Sequence, residues 1–268
     1  MSIEENTSVP TPLESARYFS ALPALDHEGQ AIVPRALILS DDGDIGANTD
    51  NQAEVNIDKP AVIGFADNVS KENRDAIMLG VQFAEVVASK KHDIDIDPIN
   101  YLKSYAEAFS HAGWTLAGGG SEYAHEKTSH KSVTMDSLVM ELLSSIAGPN
   151  AAAVLQMMNI TLEKLQKNEP LMQLFERNAA KGRKTNFRMV PCLQSEAGTP
   201  ITYLLAMDIE SSSSSGGALF WKWKVSNLSI KRLAKGMQFN RSAFNRGEPL
   251  ILEYLGVNRE NYFKGLPK

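Results

Sequence analysis

The stretch His125-Glu126-Lys127-Thr128-Ser129-His130 comes nearest to a metal motif, because the zinc-protease pattern H-E-x-x-H sets two imidazoles one helical turn apart. Here the step is one residue longer. On a helix a five-residue step turns the second ring by about 140°, against about 40° for a four-residue step, so the pair could not share one ion there. A solvated polar connection is the simpler reading, and a loop-held ion is the alternative. Gly118-Gly119-Gly120-Ser121 lacks the lysine of a P-loop, the spacing of a dinucleotide turn and the flanks of a nucleophile elbow, and reads as a hinge. Asp93, Asp95 and Asp97 imitate the opening of a calcium loop, but Pro98 stands where that loop needs glycine; helix capping accounts for them.

Cys192 is the sole cysteine, which excludes an intramolecular disulfide and a four-thiolate zinc site. Flanked by Val190 and Leu193 in a β-rich run, it reads as a small buried hydrophobe, with oxidation or acylation as the functional alternative. His111, His125 and His130 could gather with carboxylates in a fold, yet no pattern assigns them to a reaction. The expectation is a protein that is not an enzyme, with no catalytic, cofactor-binding or metal residue and no cofactor.

Composition narrows the partners. A net charge of −5 and a pI near 5.6 disfavour a general affinity for nucleic acid, which needs a dense basic surface. The hydrophobic content of 43% is enough for a substantial core in 268 residues. Met1 to Pro12 is acidic and polar, without the basic and apolar regions of a secretory signal, so synthesis in the cytoplasm is expected.

The elements that would position these residues change character along the chain. Residues 1–33 read as a flexible arm and 34–268 as one domain. Short strands are predicted at Ala36 to Leu39 and Ala61 to Phe65. Ser70 caps a helix carrying Ile77, Val81, Ala84, Val86 and Val87 up to Lys90-Lys91. Asp97-Pro98 opens the next, with Ile99, Leu102, Tyr105, Ala106 and Phe109 on one face before Gly113. Trp114 to Lys131 reads as a strand and a long connection. Thr134 then caps a helix carrying Leu138, Val139, Leu142, Leu143 and Ile146, which Gly148-Pro149-Asn150 stops before another from Ala153 to Leu165. A short helix is expected from Leu171 to Ala179.

After Gly182 the period becomes that of strands: Asn186 to Leu193, Ile201 to Glu210 and Ala218 to Ile230, with the flexible Ser211 to Gly217 between the last two. A fourth strand near Met237 to Asn240 and a terminal helix near Pro249 to Leu255 follow. Helices followed by strands imply an α+β fold, an antiparallel sheet covered by two helical hairpins in a layered, α/β/α-like domain.

Leu142 to Leu162 contains no Asp, Glu, Lys or Arg and is about as long as a bilayer span. Its Gly-Pro-Asn break, with Ser144, Ser145, Gln156 and Asn159, favours a hairpin packed on the sheet over a resident transmembrane helix. Such a hairpin could also leave the sheet and lie on a membrane. The membrane-contact candidates are Val81, Val86, Val139, Leu142, Leu143, Val154, Met157 and Met158, joined by Trp221 and Trp223 from a strand that alternates tryptophan with lysine.

Three stretches of the chain resemble the Cyt-type cytolysins, or cytolytic δ-endotoxins. They are Ala76-Ile77-Met78-Leu79-Gly80-Val81-Gln82-Phe83-Ala84, the segment Val139 to Leu165, and Ala218-Leu219-Phe220-Trp221-Lys222-Trp223 leading to Leu228-Ser229-Ile230. Tyr101 to Trp114 and Asn186 to Cys192 are similar to the Evf-type virulence factors. The first resemblance implies a pore-forming or membrane-perturbing toxin, released from its cell, that forms homo-oligomers on a target membrane. The second implies a non-lytic virulence or interaction protein, bound to a lipid or a protein partner, with a fatty acyl group for which Cys192 is the counterpart.

Overall fold

The computed structural model describes residues 9–25, 36–39, 45–46, 61–66, 68–94, 96–167, 184–195, 197–211 and 222–256. Among them the strands are β1 (Ala36–Leu39), β2 (Ile45–Gly46), β3 (Ala61–Phe65), β4 (Trp114–Thr134), β5 (Lys184–Gln194), β6 (Pro200–Ser211) and β7 (Lys222–Phe239). The helices are α1 (Pro12–Ser20), α2 (Lys71–Lys91), α3 (Pro98–His111), α4 (Met135–Ile146), α5 (Ala151–Lys167) and α6 (Arg241–Tyr254).

Two of the expected caps are in place. The Ser70 side chain accepts from the Asn73 amide at the start of α2, and Lys90 and Lys91 occupy the last turn, where cations favour the helix dipole. Asp97 accepts from the Asn100 amide and Pro98 opens α3, the cap expected there; Asp95 lies outside the described residues.

The fold is α+β, and its sheet corrects the antiparallel expectation. Seven strands run in the order β2-β1-β3-β5-β6-β7-β4, with β1, β3 and β5 parallel to one another and the remaining pairs antiparallel. The short runs Ala-Leu-Ile-Leu and Ala-Val-Ile-Gly-Phe lack the in-out alternation of a half-solvated strand, as strands covered on both faces do. The chain leaves β3 and returns at β5 only after both hairpins and β4, so the parallel contact has no local signature.

Three further boundaries differ. Gly118 to Gly120 is not a hinge between elements: the glycines lie within β4, where the register against β7 shifts between Leu116 and Ser121. Glycines tolerate the backbone angles of such a bulge, and ladder bonds on either side hold the strand together. The expected third and fourth strands are one strand, β7, which pairs with β6 on one side and β4 on the other. Helix α6 begins at Arg241, capped by Asn240, whose side chain accepts from the Ala243 amide, and it carries Pro249 within it instead of starting there. The expected helix at Leu171 to Ala179, residues 212–217 and Trp221 lie outside the described residues.

The sheet is covered on both faces. On one, α2, α3 and α6 pack with Ile63, Phe65, Val190, Cys192, Met237 and Phe239 in a single buried cluster. Its centre is an aromatic stack: Phe109 lies flat on Trp114 at 4.9 Å, and Trp114 meets Phe239 at 4.7 Å. Arg241 ties the corner by donating to Asn73, pairing with Glu72 at 3.2 Å and lying 4.8 Å above the Phe239 ring. On the opposite face, α4 and α5 cover the neighbouring strand positions, such as Leu193 and Tyr203, and their buried residues lie outside that cluster. Alternation along β5 and β6 produces the division: Cys192 and Thr202 face one layer, Leu193 and Tyr203 the other.

Candidate functional site

The α4–α5 hairpin assembles most of the predicted contact residues. Val139, Leu142, Leu143, Val154, Met157 and Met158 are all buried beneath it, with Ile146 and Leu162. Its turn, Gly148–Asn150, uses a left-handed glycine, Gly148 with φ of 52°. Tyr203 of β6 fastens that turn: its hydroxyl donates to the Ala147 carbonyl at 3.2 Å and accepts from the Asn150 side-chain Nδ2 at 3.4 Å.

The outer side of the hairpin is unusual in what it lacks. Ser144, Ser145, Pro149, Ala152, Ala153, Gln156, Asn159 and Ile160 are exposed, and none of these is charged. Both serines direct their hydroxyls to carbonyls of their own helix, Ser144 to Met140 and Ser145 to Leu142, each at 2.7 Å. Bonds of this kind withdraw donors from the surface, so the face is less polar than its composition. Exposed carboxylates return at the flanks, Glu141 and Glu163. Among the described residues no helix is long and apolar enough to cross a membrane.

The other candidates are dispersed. Val81 is buried in α2, and Val86 is partly buried against the main cluster, on the sheet face opposite α4–α5. Trp223 occupies β7 opposite Val133 of β4. Cys192 has no exposed surface. Its Sγ lies 3.2 Å from both the Val190 carbonyl and the Thr202 hydroxyl, and Thr202 donates to the Pro191 carbonyl at 3.1 Å. Burial pushes the thiol up to about 12, against a smaller opposing effect of the Thr202 hydrogen bond. A thiol so protonated and enclosed cannot act as a nucleophile unless the core opens.

The three histidines do not converge as one element. His125 and His130 sit five positions apart in β4, opposite Lys231 and Ser226, at alternating positions of the ladder. His111 ends α3, under a helix that lies inside the segment expected to be an arm. That helix, α1, has a full capping box: Thr11 accepts from the Glu14 amide while the Glu14 carboxylate accepts from the Thr11 amide. The signal was readable as Thr-Pro-Leu-Glu, Ser/Thr followed three residues later by Glu with proline at the first position.

The α1 helix makes an aromatic seam with the body. Tyr18 stacks on the His111 ring at 3.9 Å and 12°, Phe19 on Phe83 at 5.3 Å, and the Ser15 hydroxyl lies 3.2 Å from His111 Nδ1. Tyr254 of α6 donates to the Pro23 carbonyl just beyond the helix, at 3.0 Å. Beside the seam a cleft of about 200 Å³ opens between Pro10, Pro12, Ser15, Ser110, His111 and Arg246. Burial holds the His111 imidazole below its ordinary value, against the neighbouring Glu107 and Glu14 carboxylates that raise it. Among the described residues the buried hydroxyl of Tyr18 has no hydrogen-bond partner, and burial raises its ionisation well above the ordinary value.

No protein-family description matches this chain, and no curated protein matches it. Among solved structures it is similar to one described as the structure of the Evf virulence factor, with 11% identity and a TM-score of 0.41 over 92% of this chain and 92% of that one. It is also similar to a delta-endotoxin, with 12% identity and a TM-score of 0.41 over 69% of this chain and 86% of that one. Neither likeness is close enough to transfer an activity or a residue's role.

Proposed function

We propose that this chain is a toxin-like virulence protein that acts at lipid membranes through its α4–α5 hairpin, without a small-molecule cofactor. The observation that carries the reading is the uncharged outer face of that hairpin, bounded by Glu141 and Glu163. A helix pair presented to water ordinarily carries charged residues outward. Interfacial helices commonly add lysine and arginine for anionic lipid, and here neither occurs between Leu142 and Leu162. Attraction therefore rests on apolar area, including Ile160, which is 41% exposed. With a net charge of −5 the chain gains nothing from an acidic surface. Lysis would follow if the buried stripe from Val139 to Met158 exchanged the sheet for lipid.

Flotation with vesicles and calcein release test this directly. Zwitterionic vesicles should bind at least as well as anionic ones, with little dependence on salt. Ala153→Glu with Gln156→Glu charges the outer face without entering the core, and should weaken binding by roughly tenfold. Full binding and release by that folded variant would remove the hairpin from the mechanism. Absence of both in the folded native protein would favour the non-lytic alternative, a protein that engages a single lipid or a protein partner.

A further inference from the structure

We propose that α1 is a pH-released strap, held on the body by neutral His111 beneath Tyr18 and freed when that imidazole takes a proton. The inference does not depend on membrane activity, because α1 lies with the α2–α3–α6 layer, on the sheet face opposite the α4–α5 hairpin.

Three of the α1 contacts converge on this one titratable ring. Tyr18 stacks on it, Phe19 reaches its edge at 6.5 Å, and Ser15 meets its Nδ1. Charging the imidazole while it is covered removes an ion from water, and the cost disappears when the strap lifts. The surroundings decide whether that cost is repaid. On α1 itself Glu14 would attract the cation, as would Glu107 on α3, and Arg17 interacts with the Glu14 carboxylate. Lys91 on α2 opposes it, and its ammonium already lies 5.1 Å from the centre of the Tyr18 ring. Arg246 of α6 lines the adjoining cleft as a further cation, and Tyr254 lies close to Phe83. Glu107 is also turned toward Lys91, at 3.5 Å, which divides its attraction. Desolvation outweighs the carboxylates, consistent with the direction in which His111 is held.

The sign follows. A histidine lowered on docking stabilises the docked form above its ordinary range, and the contribution is lost as pH falls through that range. Release would uncover Phe83, which has no exposed surface with Phe19 stacked on it, together with Tyr254.

Hydrogen exchange on the full chain reads the strap without any ligand. Between about pH 7.5 and about pH 5.5, amides of α1 should lose protection by roughly threefold or more after correction for intrinsic rates, while α2 amides keep theirs. His111→Phe retains an aromatic surface and cannot titrate, so its α1 should stay equally protected at both pH values. Native α1 protection that does not change with pH would overturn the proposal, as would an unaltered acid response in His111→Phe, which would assign release to Glu14 or Glu107. NMR titration of His111 supplies a check that needs no His111 variant: Tyr18→Ala should return the imidazole toward its ordinary value. An unchanged titration in that variant would mean that α1 and His111 are not coupled.

Discussion

A free thiol in a protein proposed to act on lipid invites a covalent role, and the surroundings of Cys192 argue for a packing role instead. Its Sγ is satisfied by Val190 and Thr202, and no exposed surface connects it to solvent. Aromatic disulfide reagents should therefore react with the native protein only at the rate of unfolding, and rapidly in denaturant. The raised thiol also makes alkaline pH destabilising. An acid whose folded value is raised contributes stability below its unfolded value and loses it as pH climbs from near 9 toward about 12. Cys192→Ser should remove that share of the alkaline slope in urea titrations; an identical slope would place the alkaline sensitivity elsewhere, for example in the raised phenols of Tyr203 and Tyr254. Mass spectrometry that finds an acyl group on native Cys192 would show that the strand layer admits a chain beside this residue. The flanks Val190 and Leu193 were enough to place the cysteine in the core; its hydroxyl neighbour Thr202 comes from another strand, and no sequence spacing marks it.

At the scale of elements, two turns lock the end of α3 to the start of α6. Gly113 has φ of +88°, and a Cβ placed there would lie 2.7 Å from the Phe244 backbone nitrogen and 2.9 Å from the Asn240 carbonyl oxygen. The Asn240 amide donates to the Gly113 carbonyl across the same junction, at 2.8 Å. Gly113→Ala meets both an unfavourable backbone angle and fixed main-chain atoms, and should cost about 2 kcal/mol or more, measured as a lower urea midpoint at an unchanged slope. A loss under 0.5 kcal/mol would mean that the two turns separate easily. Caps made the starts of α2 and α3 legible, because Ser70 and Asp97 act on amides three residues away. Strand ends were harder to read. Nothing local distinguishes a strand that continues from one that breaks when its partner lies a hundred residues off, so Gly118 to Gly120 resembled a hinge and β7 resembled two strands. The same limit hid the parallel pairing of β1, β3 and β5. For α1 the local signal existed in Thr11 and Glu14, but short apolar content around it resembled an arm.

At the scale of the whole molecule, the described residues form a sheet with unequal covers, and the inequality bears on how the hairpin could act. The α2–α3–α6 layer shares one continuous core with Phe65, Cys192 and Phe239 and is fastened by Arg241 and the Gly113 junction. Among the described residues the α4–α5 layer is a hairpin with its own smaller set of buried residues, held at its turn by Tyr203. Less shared burial should permit a partial opening in which α4 and α5 lift while the other layer stays folded. Native-state hydrogen exchange at increasing urea should show the slowest α4–α5 amides opening at roughly 2 kcal/mol less than those of α2–α3. Tyr203→Phe removes the hydroxyl that fastens the turn and should widen that gap by about 1 kcal/mol, with little effect on α2 and α3. If all four helices merged into a single opening with the same free energy and the same urea dependence, the hairpin could not leave without global unfolding. Contact with lipid would then have to use the outer face alone, and Ala153→Glu with Gln156→Glu would impair binding while charges introduced at Val154 or Met158 acted only through stability. A separate, lower opening would instead give the stripe from Val139 to Met158 a route to the membrane that leaves the opposite core intact.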